Sequence, residues 1–259
     1  MQLRGSAMPM VKGPHGQVKT AADQAAEGCV LGYLRSWFPD DRFLSEELFE
    51  ETGVRWDAPK AFWTVDALDG TRSFVEGFEG FCVQVAYLDA GAIQFGVVYE
   101  PVRQLWYWAV EGQGAFRETA DGHRQPLRLD SALRGPPRFI DSQPLTGVAK
   151  DVMTHVSGAF LECGSFGVKM CRVAEGAAEV FLKETRFKFW DVAPAEAIVR
   201  EAGGVVALWN GQRILYAGHR VSVDEGLLVA SPWWHQVVRS ALEAHAPHEL
   251  ATGASRRSA

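Results

Sequence analysis

Residues 63–74 read WTVDALDGTRSF, and no other stretch restricts the fold as strongly. An apolar run (Ala61, Phe62, Trp63, Thr64, Val65) stops at Asp66. Asp69 follows three residues later, then Gly70 and Thr71. Such a run reads as a buried strand. It brings two carboxylates to one tip, where like charges repel unless something positive lies between them. A divalent cation meets that requirement, and an all-oxygen donor set favours Mg²⁺ over zinc. The competing interpretation is a capped turn closing a strand. On this segment alone the two weigh equally.

The chain has 259 residues, a formal net charge of −6 and 47% hydrophobic residues. That is enough to bury a sizeable core, as one large domain or two closely packed ones. The acidic balance and the lack of a basic stripe argue against nucleic acid as the partner. An anionic substrate stays open if local cations reverse the sign at the site. Four cysteines (Cys29, Cys82, Cys163, Cys171) show no CxxC spacing. They read as free thiols of a reducing compartment rather than a disulfide scaffold. No apolar run approaches the ~20 residues of a membrane span. The first residues, MQLRGSAMPMVKG, lack the apolar centre of a signal peptide. A cytoplasmic location is the expectation.

Along the chain, 1–18 reads as irregular. A helix is expected from Thr20, with Ala26, Cys29, Val30, Tyr33, Leu34, Trp37 and Phe38 as its apolar face, stopped by Pro39. A short strand at Phe43-Leu44 runs into Ser45-Glu46-Glu47. Strands at 61–66, 81–88, 93–99 and 105–110 make an antiparallel meander. The polar, Arg- and Pro-rich stretch 118–138 is the expected boundary between halves 1–130 and 131–259.

In the second half a helix is expected at 168–175 and a strand at 179–182. Another helix is expected at 192–202, with Asp191 as its N-cap and Pro194 in its first turn. Residues 205–209 and 212–215 read as a hairpin around Asn210-Gly211. A strand at 226–230 and a last helix from Ser231-Pro232 to near His245 complete the pattern. The tail ATGASRRSA reads as frayed. Irregular alternation of strands and helices gives layered α+β rather than a doubly wound parallel sheet.

Three further residues gain meaning together. Asp23 in TAAD alone is a first-turn residue favoured by the helix dipole. Glu46 alone is half of a solvated pair, and Asp191 alone is a cap. In order, TAAD, SEE, DALDGT and WDVAPAEAIVREAGG resemble the inositol monophosphatase superfamily, the Mg²⁺-dependent, Li⁺-sensitive phosphomonoesterases. The resemblance runs from about Val18 to the last helix. It implies an α/β/α/β/α sandwich of the inositol monophosphatase and fructose-1,6-bisphosphatase type, with the site between two halves. It also implies about two to three Mg²⁺ ions per site.

By that resemblance Glu46, Asp66 and the Leu68 carbonyl hold one ion, and Asp66, Asp69 and Asp191 another. A weaker third leans on Glu46. The Gly70 and Thr71 N–H groups cradle phosphate. Asp23 and Thr71 orient and deprotonate the attacking water, with Glu46 supporting the chemistry. Attack is in line with no covalent intermediate, which fits the absence of an activated Ser or Cys motif. A homodimer is the candidate assembly, and the partner is a small soluble phosphate ester rather than nucleic acid or a membrane. The family has proline where this chain has Ala67, and a longer helical segment before TAAD.

For the substrate, Glu184 matches an acidic position that binds hydroxyls in inositol-selective members. GSFGVKMCRVAEG and TRFKFWDVAPAEAI look more like the 3′(2′),5′-bisphosphate nucleotidases, where Lys169 and Lys188 would meet a second phosphate. DGTRSFVEG is similar to the histidinol-phosphate phosphatases. Arg72 sits at the site mouth in each case. A catalytically silent regulatory protein on the same scaffold is the alternative from another class, and Ala67 is its support.

Overall fold

The structure, a computed structural model, describes residues 11–12, 18–52, 56–129 and 135–245. The elements run in chain order β1 (Val11–Lys12), β2 (Val18–Lys19), α1 (Ala21–Trp37), β3 (Phe43–Ser45), α2 (Glu46–Thr52), β4 (Ala61–Asp69) and α3 (Thr71–Glu76). The meander follows as β5 (Cys82–Asp89), β6 (Ala92–Glu100), β7 (Leu105–Val110), β8 (Gly114–Thr119) and β9 (Arg124–Leu127). Then come β10 (Arg138–Asp141), α4 (Gly147–His155), β11 (Ala159–Glu162), α5 (Phe166–Ala174), β12 (Val180–Lys183), β13 (Phe187–Lys188) and α6 (Phe189–Glu201). The chain closes with β14 (Val205–Leu208), β15 (Ser222–Val223), β16 (Leu227–Ala230) and α7 (Pro232–His245).

A seven-stranded sheet runs β3-β4-β5-β6-β7-β8-β9, antiparallel except for the parallel β3–β4 pair. A five-stranded sheet runs β11-β10-β12-β16-β14. The period of two assigns faces in the second sheet. Phe181, Leu227 and Val229 join the core between the sheets, while Val180, Leu182, Leu228 and Ala230 pack on α4 and α7. Helices α5 and α6 fill the space between the sheets, and α1 covers the outer face of β4 and β5. The layers are therefore α/β/α/β/α.

Helix α6 is apolar nearly all round because a sheet lies on either side. Each large side chain it buries, such as Phe189 or Trp190, contributes roughly 1.5–3 kcal/mol. Its backbone presses on β6: a Cβ at Gly96 would stand 2.2 Å from the Pro194 carbonyl oxygen.

Several expectations need correction. The face of α1 is rotated, burying Ala22, Asp23, Glu27 and Leu31 and leaving Tyr33 76% and Trp37 78% exposed. On the buried face the Glu27 carboxylate accepts from the Glu47 and Leu48 amides at 3.0 and 2.9 Å and so caps α2 from another helix, while Leu31 packs on β4 and β5. Helix α6 starts at Phe189, which moves Asp191 to its third position and Pro194 to its second turn. Residues 212–215 form no strand: the Asn210-Gly211 turn closes with the Leu208 amide donating to the Gln212 carbonyl at 2.9 Å, but the ladder goes no further and β14 remains the edge of its sheet. Strand β9 lies within the expected boundary stretch, as part of the first sheet. Within the irregular start, Val11–Lys12 pairs with Val18–Lys19. The remainder of 1–17 and the tail lie outside the described residues.

Candidate active site

A bulge in β4 brings the two aspartates together. Asp66 pairs with Gln84 and Asp69 with Cys82, so three steps on β4 match two on β5. A regular strand would place residues three apart on opposite faces. The extra residue restores Asp69 to the face of Asp66. Ala67 and Leu68 occupy the bulge. Asp66 Oδ1 accepts the Leu68 amide at 3.0 Å.

Asp69 is held from several directions. Its Oδ2 accepts from Ser165 Oγ at 2.6 Å, the Gly167 amide at 2.8 Å and Gln84 Nε2 at 3.1 Å. Ser165 also caps α5 through the Val168 amide. Gln84 Nε2 lies 3.4 Å from the Asp191 carbonyl, touching the start of α6. The sequence reading missed both side chains. A Gln inside the apolar strand CVQVAYLD and a Ser at a helix start were the available signals.

The chain leaves β4 through Gly70, which has φ +92° and opens the short helix α3. A side chain there would be strained, and its Cβ would stand 2.6 Å from the Gly80 carbonyl. This turn aims Thr71 back at the N-terminus of α1. Thr71 Oγ1 donates to Asp23 Oδ1 at 2.7 Å. Asp23 Oδ2 accepts from Thr20 N at 2.7 Å and Thr20 Oγ1 at 2.8 Å, a capping box that fixes the carboxylate.

Glu46 starts α2 and Asp191 lies in the first turn of α6, where its Oδ2 accepts the Lys188 amide at 2.7 Å. The charges of these groups are felt at Asp66 and at one another. Burial, then repulsion from Glu46, Asp69 and Asp191, pushes the Asp66 carboxyl well above its ordinary range. Burial and then Asp191 push Glu46 up to about 8. Burial and then Asp69 push Asp191 up to about 7. Burial also raises Asp69 against the pull of its hydrogen bonds.

Among the described residues no three acidic, histidine or cysteine side chains stand close enough to form a finished coordination sphere. The donor chemistry nevertheless fits a hard divalent cation. Asp66 is repelled by Glu46, Asp69 and Asp191, and no thiolate or imidazole is among these four groups. Asp66, Asp69 and Asp191 each use one oxygen to bind the protein.

A cleft of about 990 Å³ opens beside this cluster, meeting it at Gly70 and Ser165. Arg72 and Glu184 line it too. Arg72 is exposed and paired with Glu76. Glu184 accepts from the Ala149 amide at the N-terminal turn of α4. Lys169 and Lys188 are not part of the lining. Lys169 is 2% exposed, with its Nζ 2.7 Å from Asp141 Oδ1. Lys188 pairs with Glu50 at 2.8 Å and lies over the Trp190 ring. Lys183, on the cleft wall, pairs with Asp141 at 3.4 Å. Burial pushes the Asp141 carboxyl up, but Lys169 and Lys183 outweigh it and hold it below the ordinary range. Of the cysteines, Cys29 is exposed, Cys82 and Cys171 are buried, and all four are free.

The profile of the inositol monophosphatase family matches residues 9–246. The chain belongs to that family. It is 32% identical over 234 residues to the 3′(2′),5′-bisphosphate nucleotidase CysQ of Escherichia coli O157:H7, covering 89% of this chain and 93% of that protein. It is 30% identical over 217 residues to the Nus factor SuhB of Pasteurella multocida, covering 82% and 78%. The solved inositol monophosphatase of Thermotoga maritima superposes with a TM-score of 0.79 at 22% identity, covering 95% of this chain and 91% of that one, which shows the shared fold. Phosphatase chemistry is thus the activity these relatives support. Among the described residues no helix is long and apolar enough to cross a membrane.

Proposed function

We propose that this family member hydrolyses a small phosphate monoester, with Mg²⁺ held by Glu46, Asp66, the Leu68 carbonyl, Asp69 and Asp191. The observation that carries the reading is the Thr71–Asp23 hydrogen bond beside the carboxylate cluster. Because the Thr71 hydroxyl donates to Asp23, its oxygen lone pairs remain to accept from a water. That water's proton passes to Thr71 as the Thr71 proton passes to Asp23. Thr20 fixes the other Asp23 oxygen, so the base does not rotate away. The Gly70 and Thr71 amides receive the phosphoryl oxygens, and the tight turn keeps side chains out of their path. When bound, Mg²⁺ supplies Lewis-acid stabilisation of charge on the transferring group.

The cleft has room for a substrate larger than inositol monophosphate. A nucleotide 3′,5′-bisphosphate suits its volume, its Arg72 and Lys183 walls, and the CysQ relatives. Glu184 is the hydroxyl contact if the substrate is of the inositol type, and histidinol phosphate is the further alternative. With this reading go about two to three Mg²⁺ per site, inhibition by Li⁺, a cytoplasmic location, a homodimer, and halves 1–130 and 131–259 that meet at the site.

Phosphate release from 3′-phosphoadenosine 5′-phosphate, inositol 1-phosphate, histidinol phosphate and fructose 1,6-bisphosphate tests the reading. Each is run with Mg²⁺, with EDTA, and with Mg²⁺ plus Li⁺. Mg²⁺-dependent release led by the adenosine bisphosphate is expected. Release led by inositol 1-phosphate would move the assignment to that branch, and no release from any would contradict it.

A further inference from the structure

Lys19, Glu50 and Lys188 form a chain of charge beside the carboxylate cluster. Glu50 lies one turn after Glu46 on α2, so the two side chains share a face. Its Oε1 accepts from Lys188 Nζ at 2.8 Å, and its Oε2 forms an ion pair with Lys19 Nζ at 2.5 Å without a hydrogen-bond partner among the described residues. Lys19 also reaches Glu47 at 3.0 Å. All three side chains are mostly buried, at 17%, 15% and 18% exposure for Lys19, Glu50 and Lys188. They join β2, α2 and the residue preceding α6.

Both lysines border the cluster: Lys19 pairs with Glu47, the residue after Glu46, and the Lys188 amide donates to Asp191 at 2.7 Å. Glu46 feels the fields of Lys188 and Lys19, and Asp191 feels that of Lys188. An ammonium on a flexible four-carbon stem is a rival for the oxygens that would hold a divalent cation. The geometry gives a reason why these lysines do not close the cluster: Glu50 Oε1 accepts from Lys188, and Lys19 is held by Glu50 together with both oxygens of Glu47.

We infer that Glu50 is a positioning residue that sequesters Lys188 and, together with Glu47, Lys19, and so keeps the carboxylate cluster open to a divalent cation. This rests on the metal-site reading above and adds to it a residue that touches neither cation nor substrate. It also gives Lys188 a role other than meeting a second phosphate.

The test is calorimetric titration of the EDTA-stripped full chain with Mg²⁺, in wild type, Glu50→Gln, Lys188→Met and the double variant. Thermal unfolding without metal serves as the folding control. Glu50→Gln should weaken Mg²⁺ binding by about 10- to 100-fold. Lys188→Met should bind at least as tightly as wild type, and the double variant should regain much of the loss. An unchanged affinity in Glu50→Gln, or a loss that removing Lys188 does not reverse, would overturn the inference. Should Glu50→Gln not fold, Lys188→Met and Lys19→Met decide alone, since weaker binding in either contradicts sequestration. If wild type itself binds no Mg²⁺, the metal-site reading fails and takes this inference with it. Binding that is indifferent to Glu50 removes only the role of Glu50.

Discussion

Thr71 Oγ1 and Asp23 Oδ1 meet at 2.7 Å although 48 residues separate them in sequence. The contact exists because the Gly70 turn and the α1 capping box aim both groups at the same point. Thr71→Val keeps the shape of the side chain and removes only its hydroxyl. It should lower kcat by about 10²–10⁴-fold while leaving the melting temperature and Mg²⁺ affinity near wild type. Steady-state kinetics beside a thermal melt checks this. A kcat within a few-fold of wild type would remove Thr71 from the proton path.

The carboxylate cluster predicts how stability depends on pH. Folded-state pKa values of Glu46, Asp66 and Asp191 lie above those of the unfolded chain, with Glu46 near 8 and Asp191 near 7. Between the unfolded carboxylate pKa near ~4 and these values the folded state binds more protons. Metal-free stability therefore falls as pH rises through that window. Mg²⁺ should reverse the fall, with a stabilisation that grows from pH 5 to pH 8. Melting curves with EDTA and with Mg²⁺ at several pH values measure it. A metal-free melting temperature that rises across the window would contradict the account.

A buried ionic network ties α5 to the first sheet. Arg172 donates to Glu100 at 2.6 and 2.8 Å, to Glu175 at 2.9 Å and to the Tyr107 hydroxyl at 2.7 Å. Arg172→Met leaves Glu100 buried and unpaired, at a cost of about 3–5 kcal/mol. Burial already raises the Glu100 pKa despite Arg172. The deficit should therefore shrink at acid pH, where Glu100 takes up a proton. Urea unfolding at pH 5.5 and pH 8 checks both size and sign.

Ala67 sits in the β4 bulge between the paired residues Asp66 and Asp69 and has no ladder partner on β5. Proline there removes no ladder hydrogen bond and restricts the unfolded chain. Ala67→Pro should stabilise by about 0.4–1 kcal/mol and tighten Mg²⁺ binding. A lower melting temperature would show that the bulge does not accept the proline ring.

The segments with strong local signals were legible. DALDGT, the short run into Glu46, TAAD and the meander follow from apolar runs, turn residues and caps, and they fall where expected. The rest depended on partners distant in sequence. Glu27 looks solvent-facing until α2 supplies two amides for it to cap. Ser165 and Gln84 matter only because the bulge turns Asp69 toward them. Lys169, expected to meet a second phosphate, is instead held in the core by Asp141 and the rings of Phe166 and Phe181. Asn210-Gly211 gives a strong hairpin signal, and the turn closes there, but its second arm leaves the edge of β14 after one hydrogen bond.

Phosphate release by wild type and by Asp66→Asn, each with Mg²⁺ and with EDTA, tests the central claim most directly. Asp66 is the residue whose charge three other carboxylates oppose. The account predicts release by wild type only with Mg²⁺, and almost none by Asp66→Asn, whose metal-free melting temperature should equal or exceed that of wild type. Release that survives EDTA, or that Asp66→Asn retains in full, would contradict it.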